Sequence, residues 1–260
     1  MNERAGALAG ALVASSGGML IYPTITPTGA MAFLAAMCLW LLVRALRRGE
    51  WWAGSVFGLC FAAYFFFSFA SYMLGILMGM FLFVGLMNKS ISIARTAKVI
   101  GIGVGTFVIF YGILFLIWRF NIVACFRMAR AMHLKDPGHG FDDPVRYLFR
   151  STGGIIAYWV AASFVIGILA IAAVRRGDGL WRAFAWGTLL GILGSAFSGM
   201  TFLETERIWL IFTPGLAVPA GAELEERSQR EGRWVAVGVI AFALTFSCAY
   251  EIMIRHHLSG

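Results

Sequence analysis

Nine apolar blocks, most of them about as long as a helix needs to cross a bilayer, leave this chain few options. They fall at about 5–21, 29–46, 52–68, 70–87, 98–118, 154–174, 183–200, 207–221 and 234–254. A hydrocarbon core about 30 Å thick takes roughly 20 apolar residues in a helix, and a helix satisfies its own backbone polar groups there. Charged residues make up 13% of the 260 residues, about half the share of a soluble domain. An ordinary soluble globular fold is excluded. The expectation is an all-α, polytopic helical integral membrane protein with about nine transmembrane helices, forming one domain over 1–260.

Local signals refine the spans. Trp51–Met87 is too long for one helix, and Phe67-Ser-Phe-Ala-Ser71 is the natural reversal, because Ser hydrogen-bonds nearby backbone. Continuity through Gly17-Gly-Met-Leu-Ile-Tyr22 favours a first span over a cleaved leader. Gly6/Gly10, Gly101/Gly105 and Gly187/Gly191 have the four-residue spacing of close helix packing. The charged run 223–233 reads as a solvated loop. Cys38, Cys60, Cys125 and Cys248 are too scattered for a disulfide framework or a zinc pattern.

The net charge of +8 does not imply nucleic acid, because the basic residues are spread through short loops rather than pooled. With nine spans, Arg44/Arg47/Arg48, Lys89/Arg95/Lys98, Arg175/Arg176/Arg182 and Arg227/Arg230/Arg233 fall on one side, which the positive-inside bias makes cytoplasmic. The other side then receives an extracytoplasmic loop at about 119–153. That loop carries six Lys and Arg, and much of 121–134 reads as an amphipathic helix at the interface.

Three groups of polar residues are candidates for function. In Thr201–Pro214, Glu204, Glu206 and Arg207 stand between two apolar blocks, where charge is costly unless paired or used. Glu204 and Arg207 are three apart and pair on a helix, while Glu206 points elsewhere. The planar guanidinium suits a phosphate, and Pro214-Gly215 interrupts the span as cavity-lining helices often do. The plainer reading is an interfacial Arg beside Trp209. In the external loop, His133, Asp136, His139 and Asp142 recur about a Pro-Gly turn and are weak candidates for a divalent metal ion, the one cofactor suggested. Polar turn residues gather in loops for other reasons too. Arg146 and Tyr147 either contact a headgroup or anchor a helix. Glu251 and Arg255 have the spacing of an ordinary helical ion pair.

The run Glu204-Thr-Glu-Arg-Ile-Trp-Leu-Ile-Phe-Thr-Pro214 resembles the late membrane helices of bacterial GT-C-type glycosyltransferases, which carry a Glu-x-x-Arg-x-Trp-like segment followed by Pro. Ile21-Tyr-Pro-Thr, Trp52-Ala-Gly-Ser-Val-Phe-Gly with Ser71-Tyr72, and the loop ending Arg146-Tyr147 are similar to the same group. The resemblance implies a bacterial cytoplasmic (inner) membrane protein and a polyprenyl-phosphate sugar as partner beside the lipid bilayer. It gives Arg207 to the carrier phosphate, with Glu204 orienting it. Such enzymes place their general base on a carboxylate in an early external loop. The loop 22–28 here has no Asp or Glu, so no catalytic base carries over, unless Asp142 or Asp143 substitutes. The expectation is a partial or diverged relative that holds the lipid-linked donor. A non-enzymatic transporter or assembly partner is the alternative, leaning on the breaks at Pro214 and Pro219 and on Glu251.

Overall fold

The computed structural model describes residues 3–18, 28–67, 72–133, 143–176, 179–198 and 209–258. Among the described residues the fold is all-α: α-helices, one 3-10 turn and no strand. The helices are α1 (Glu3–Ala14), α2 (Thr28–Arg48), α3 (Trp51–Phe67), α4 (Tyr72–Met87), α5 (Ile93–Trp118), α6 (Ile122–His133), α7 (Pro144–Ala162), α8 (Phe164–Arg176) and α9 (Gly179–Ala196). The 3-10 turn Trp209–Phe212 then leads into α10 (Thr213–Glu231) and α11 (Trp234–Leu258).

Local chemistry sets several boundaries. Asn121 Oδ1 accepts the Ala124 N–H at 3.0 Å and starts α6, inside the stretch expected to be an amphipathic helix. Asp143 Oδ1 accepts the Arg146 N–H at 3.0 Å, and Pro144 follows at the first helical position. That position leaves its N–H unpaired in any case. At the far end of α5, Arg119 turns left-handed and its N–H closes on the Phe115 carbonyl at 2.9 Å. The stretch 51–87 divides as expected, with α3 ending at Phe67 and α4 starting at Tyr72.

Of the nine blocks, 29–46 and 98–118 become helices long and apolar enough to cross a membrane, α2 (from Gly29) and α5. The pair α7–α8 makes a third if taken as one bent span. Only 11% of the apolar window of α5 is buried within the protein, so Val104, Val108, Ile109 and Leu116 point outward. Apolar surface of that extent belongs against hydrocarbon or a partner.

The core forms where small residues admit a neighbouring backbone. The most extensively packed helix pair is α4 with α9. A Cβ on Gly187 would stand 2.6 Å from the Phe81 backbone nitrogen, and one on Gly191 2.9 Å from the Leu77 Cα. Helix α3 packs on α2 and α5, so α3 and α4 diverge although adjacent in sequence. Helix α10 runs through the middle and touches α1, α2, α8, α9 and α11.

Three expectations are corrected. The block 154–174 is not one straight span: Ser163, at φ +71 and fully buried, separates α7 from α8, which are bent by 100°. Gly167 makes the bend possible, because a Cβ there would overlap the Trp159 ring. The run 223–233 is not a solvated loop, since α10 continues to Glu231 with Glu223 and Glu225 buried. Finally, Gly10, Gly101 and Gly105 face open space, and Gly103 is the glycine of α5 that meets Phe57 and Gly58.

Candidate functional site

The most unusual place in the bundle is the start of α10. A Cβ on Gly215 would lie 2.9 Å from Thr188 Oγ1 and 3.3 Å from Leu77 Cδ1, so α10 begins about halfway along α9 rather than at its end. The turn before it is buried at Leu210, Ile211 and Phe212 and touches α2, α4, α7 and α9. Phe212 occupies the N-cap position and supplies no side-chain hydrogen bond. The first turn of a helix has N–H groups without intrahelical partners and a partial positive charge. Here both are set inside the bundle, and Pro214 removes one of the donors.

Three hydroxyl groups, those of Tyr158, Thr188 and Thr213, stand at this point. Tyr158 on α7 is fully buried, its hydroxyl set against that of Thr213 and its ring edge-on to Phe212 at 6.4 Å. Elsewhere on α7–α9, Ser151, Ser163 and Ser195 are also buried, with hydroxyls that meet no hydrogen-bond partner among the described residues. Thr188 Oγ1 donates to the Phe184 carbonyl at 2.9 Å. On the other flank Gly18 receives Leu210, and Ser247 Oγ of α11 donates to the buried Ser15 carbonyl at 2.5 Å. The facing hydroxyls of Tyr158 and Thr213, with Thr188 Oγ1 against Gly215, give the head of α10 a polar lining that a ligand's oxygens can complete.

The sequence-predicted residues stand in different relations to this junction. Glu204, Glu206 and Arg207 lie outside the described residues, on the segment between Ser198 and Trp209 that leads into it. Asp136, His139 and Asp142 lie outside them too, and His133 is the last residue of α6. Among the described residues no group of three or more His, Cys, Asp or Glu could hold a metal ion. Arg146 is exposed in the first turn of α7. Tyr147 beside it donates its hydroxyl to the Phe197 carbonyl at 2.5 Å, tying α7 to the end of α9 where that segment departs. Asp143 serves as the N-cap of α7. The α11 helix includes both Glu251 and Arg255.

Two features were missed in the sequence. Tyr158, Thr213 and Ser195 looked like ordinary residues of apolar blocks, and nothing in their spacing sets them apart. The polar half of α10 was legible in principle. Glu223 pairs with Arg227 at 2.8 Å, Glu225 accepts from Gln229 at 2.8 Å, and Glu226 pairs with Arg230. All three are i,i+4 pairs, which support a helix, and no Gly or Pro interrupts 222–231. Glu223 is only 2% exposed because α1 closes on this end: a Cβ on Gly221 would stand 2.6 Å from Ala9 N and 2.7 Å from Ala5 O. No family model matches the sequence, and no curated protein or solved structure matches it either.

Proposed function

We propose that this chain is a multi-pass protein of a bacterial cytoplasmic membrane, with about nine passes, that holds a polyprenyl-phosphate sugar at the head of α10. Arg207, with Glu204 orienting it, grips the carrier phosphate, and the first turn of α10 with Thr213 and Tyr158 takes its remaining oxygens. The observation that carries the reading is the helix start inside the bundle, lined by buried hydroxyls. Helix N-termini favour anions, and Arg207 precedes the buried turn by two residues. The protein is glycosyltransferase-like in the donor it holds, and no residue is assigned as a catalytic base.

The test is binding of farnesyl phosphate to the purified protein in a neutral detergent. Saturable binding is expected, weakened about tenfold in Arg207→Ala and less in Arg207→Lys, which keeps the charge but not the fork. Unchanged binding in both variants would sink the phosphate grip. A transporter is the second reading. It is favoured by the 100° bend of α7–α8, whose second helix packs on α10, although α10 runs unbroken through Pro219 and the expected breaks at Pro214 and Pro219 are not present. Uptake of a solute by proteoliposomes, abolished by Thr213→Val with farnesyl phosphate binding intact, would favour it.

A further inference from the structure

At the basic end of the bundle, three separate connections meet around one cavity of about 400 Å3. Arg47 comes from the last turn of α2, Ser90, Ile91 and Ser92 from the α4–α5 connection, Arg95 from the first turn of α5, and Gly179 from the start of α9. The volume falls in the range of about 300–1,000 Å3 typical of ligand clefts. No carboxylate lines it among the described residues.

The charge of the surrounding arginines is unevenly compensated. Glu50 is shared by Arg44 at 2.7 Å and Arg48 at 3.6 Å, and Arg44 also lies over the Trp40 and Trp52 rings. Arg47, between them in sequence, is exposed and has no ion pair among the described residues. Arg95 uses Nη1 to cap α2, donating to the Leu46 carbonyl at 3.0 Å and the Arg47 carbonyl at 3.1 Å. The rest of its guanidinium is left for the cavity. Ser92 is the N-cap of α5 and makes no capping side-chain bond, so its hydroxyl is available as a donor. Ser90 is not, because its hydroxyl donates to the Gly85 carbonyl at 3.0 Å. Two guanidinium groups and a hydroxyl around a cleft with no carboxylate among its described lining residues are the donor set of a phosphate site.

The tryptophans indicate where the phosphate comes from. Trp51 and Trp52 begin α3 just past the arginines, with Trp51 68% exposed. Exposed Trp beside Arg marks headgroup depth, and basic pockets between helices at that depth take anionic lipid headgroups. We propose that the cavity between Arg47, Ser92 and Arg95 binds a phosphate-bearing anion, supplied by the headgroup of an anionic phospholipid. This site is separate from the head of α10 and shares only the membrane setting with the function proposed above.

The experiment titrates the purified full chain in neutral detergent with dihexanoyl phosphatidylglycerol, alone and in the presence of inorganic phosphate. Arg47→Gln is compared with Arg48→Gln, which removes the same charge outside the cavity, and with Arg95→Lys. A thermal melt of each variant confirms that it is folded. Saturable binding is expected, weakened about tenfold in Arg47→Gln, little changed in Arg48→Gln and Arg207→Ala, and resistant to millimolar phosphate. Binding of inorganic phosphate with equal affinity would overturn the lipid source in favour of a soluble phosphate compound. Absence of saturable binding, or equal loss in Arg47→Gln and Arg48→Gln, would overturn the site. Loss in Arg207→Ala alone would place the lipid at the head of α10 and equally overturn it.

Discussion

At position 167 a hydrogen atom stands where any other residue would push a methyl group into the Trp159 indole. The ring belongs to α7, so Gly167→Ala must move it or open the α7–α8 bend. Overpacking of this kind costs typically about 1–3 kcal/mol, and the variant should melt well below the parent. Gly101→Ala is the control. Nothing lies within 4 Å of its Cβ, and exchanging Gly for Ala in a helix gains about 0.5–1 kcal/mol. A second residue-scale prediction concerns Glu50. The hydrogen bond from Arg44 holds its carboxyl below the usual carboxylate range, with smaller help from the Arg44 and Arg48 charges. A depressed value stabilises the fold at neutral pH, and that contribution is lost as pH falls through the lowered value. In Arg44→Gln the Glu50 carboxyl, followed by carbon-13 NMR, should titrate closer to an ordinary glutamate.

Glycine spacing illustrates how much of the element scale was legible. The repeats at 101/105 and 187/191 look alike in sequence, yet only the second meets a neighbouring backbone. Which face of a helix turns inward is decided by partners distant in the chain, and both faces of α5 are apolar enough for lipid. Helix existence in the apolar blocks was legible for the opposite reason, since length and composition suffice. The bend at Ser163 was not, because no Pro or Gly marks it and its cause, Trp159 over Gly167, lies on both sides of the break. In α10 the charged half read as a loop because burial of Glu223 depends on α1, more than 200 residues away in sequence. The Glu223–Arg227 pair gives a direct prediction. Only the Glu223 side of this pair is buried, Arg227 being 33% exposed, whereas the Glu226–Arg230 pair is exposed on both sides, where an i,i+4 pair contributes about 0.3–0.5 kcal/mol. Arg227→Ala should therefore lower the melting temperature in detergent clearly more than Arg230→Ala, which should barely register.

Across the whole molecule, the cavity lined by Arg47, Arg95 and Gly179 gathers three connections at one end, as expected for basic loops that share a side. Helix α5 runs from that end, and its apolar outer face has no cover among the described residues. With Cys38, Cys60, Cys125 and Cys248 replaced, single cysteines at Ser92 and Asn121 report the two ends of α5. An impermeant maleimide should label Asn121→Cys in intact cells and Ser92→Cys only after lysis; labelling of both from outside would contradict the crossing. The proposed site was only half legible. Glu204, Arg207 and Pro214 stood out as charge and a helix break at the edge of a span, while the hydroxyls of Tyr158, Thr188 and Thr213 become a lining only when α7, α9 and α10 meet.

The central claim, a phosphate-holding site at the head of α10, is tested most directly by photolabelling the protein in membranes with a diazirine-bearing polyprenyl phosphate. The account predicts adducts on the peptide spanning 209–216 and on the Tyr158 peptide, both suppressed in Arg207→Ala. Label spread along the outward face of α5 and unaffected by that substitution would contradict it.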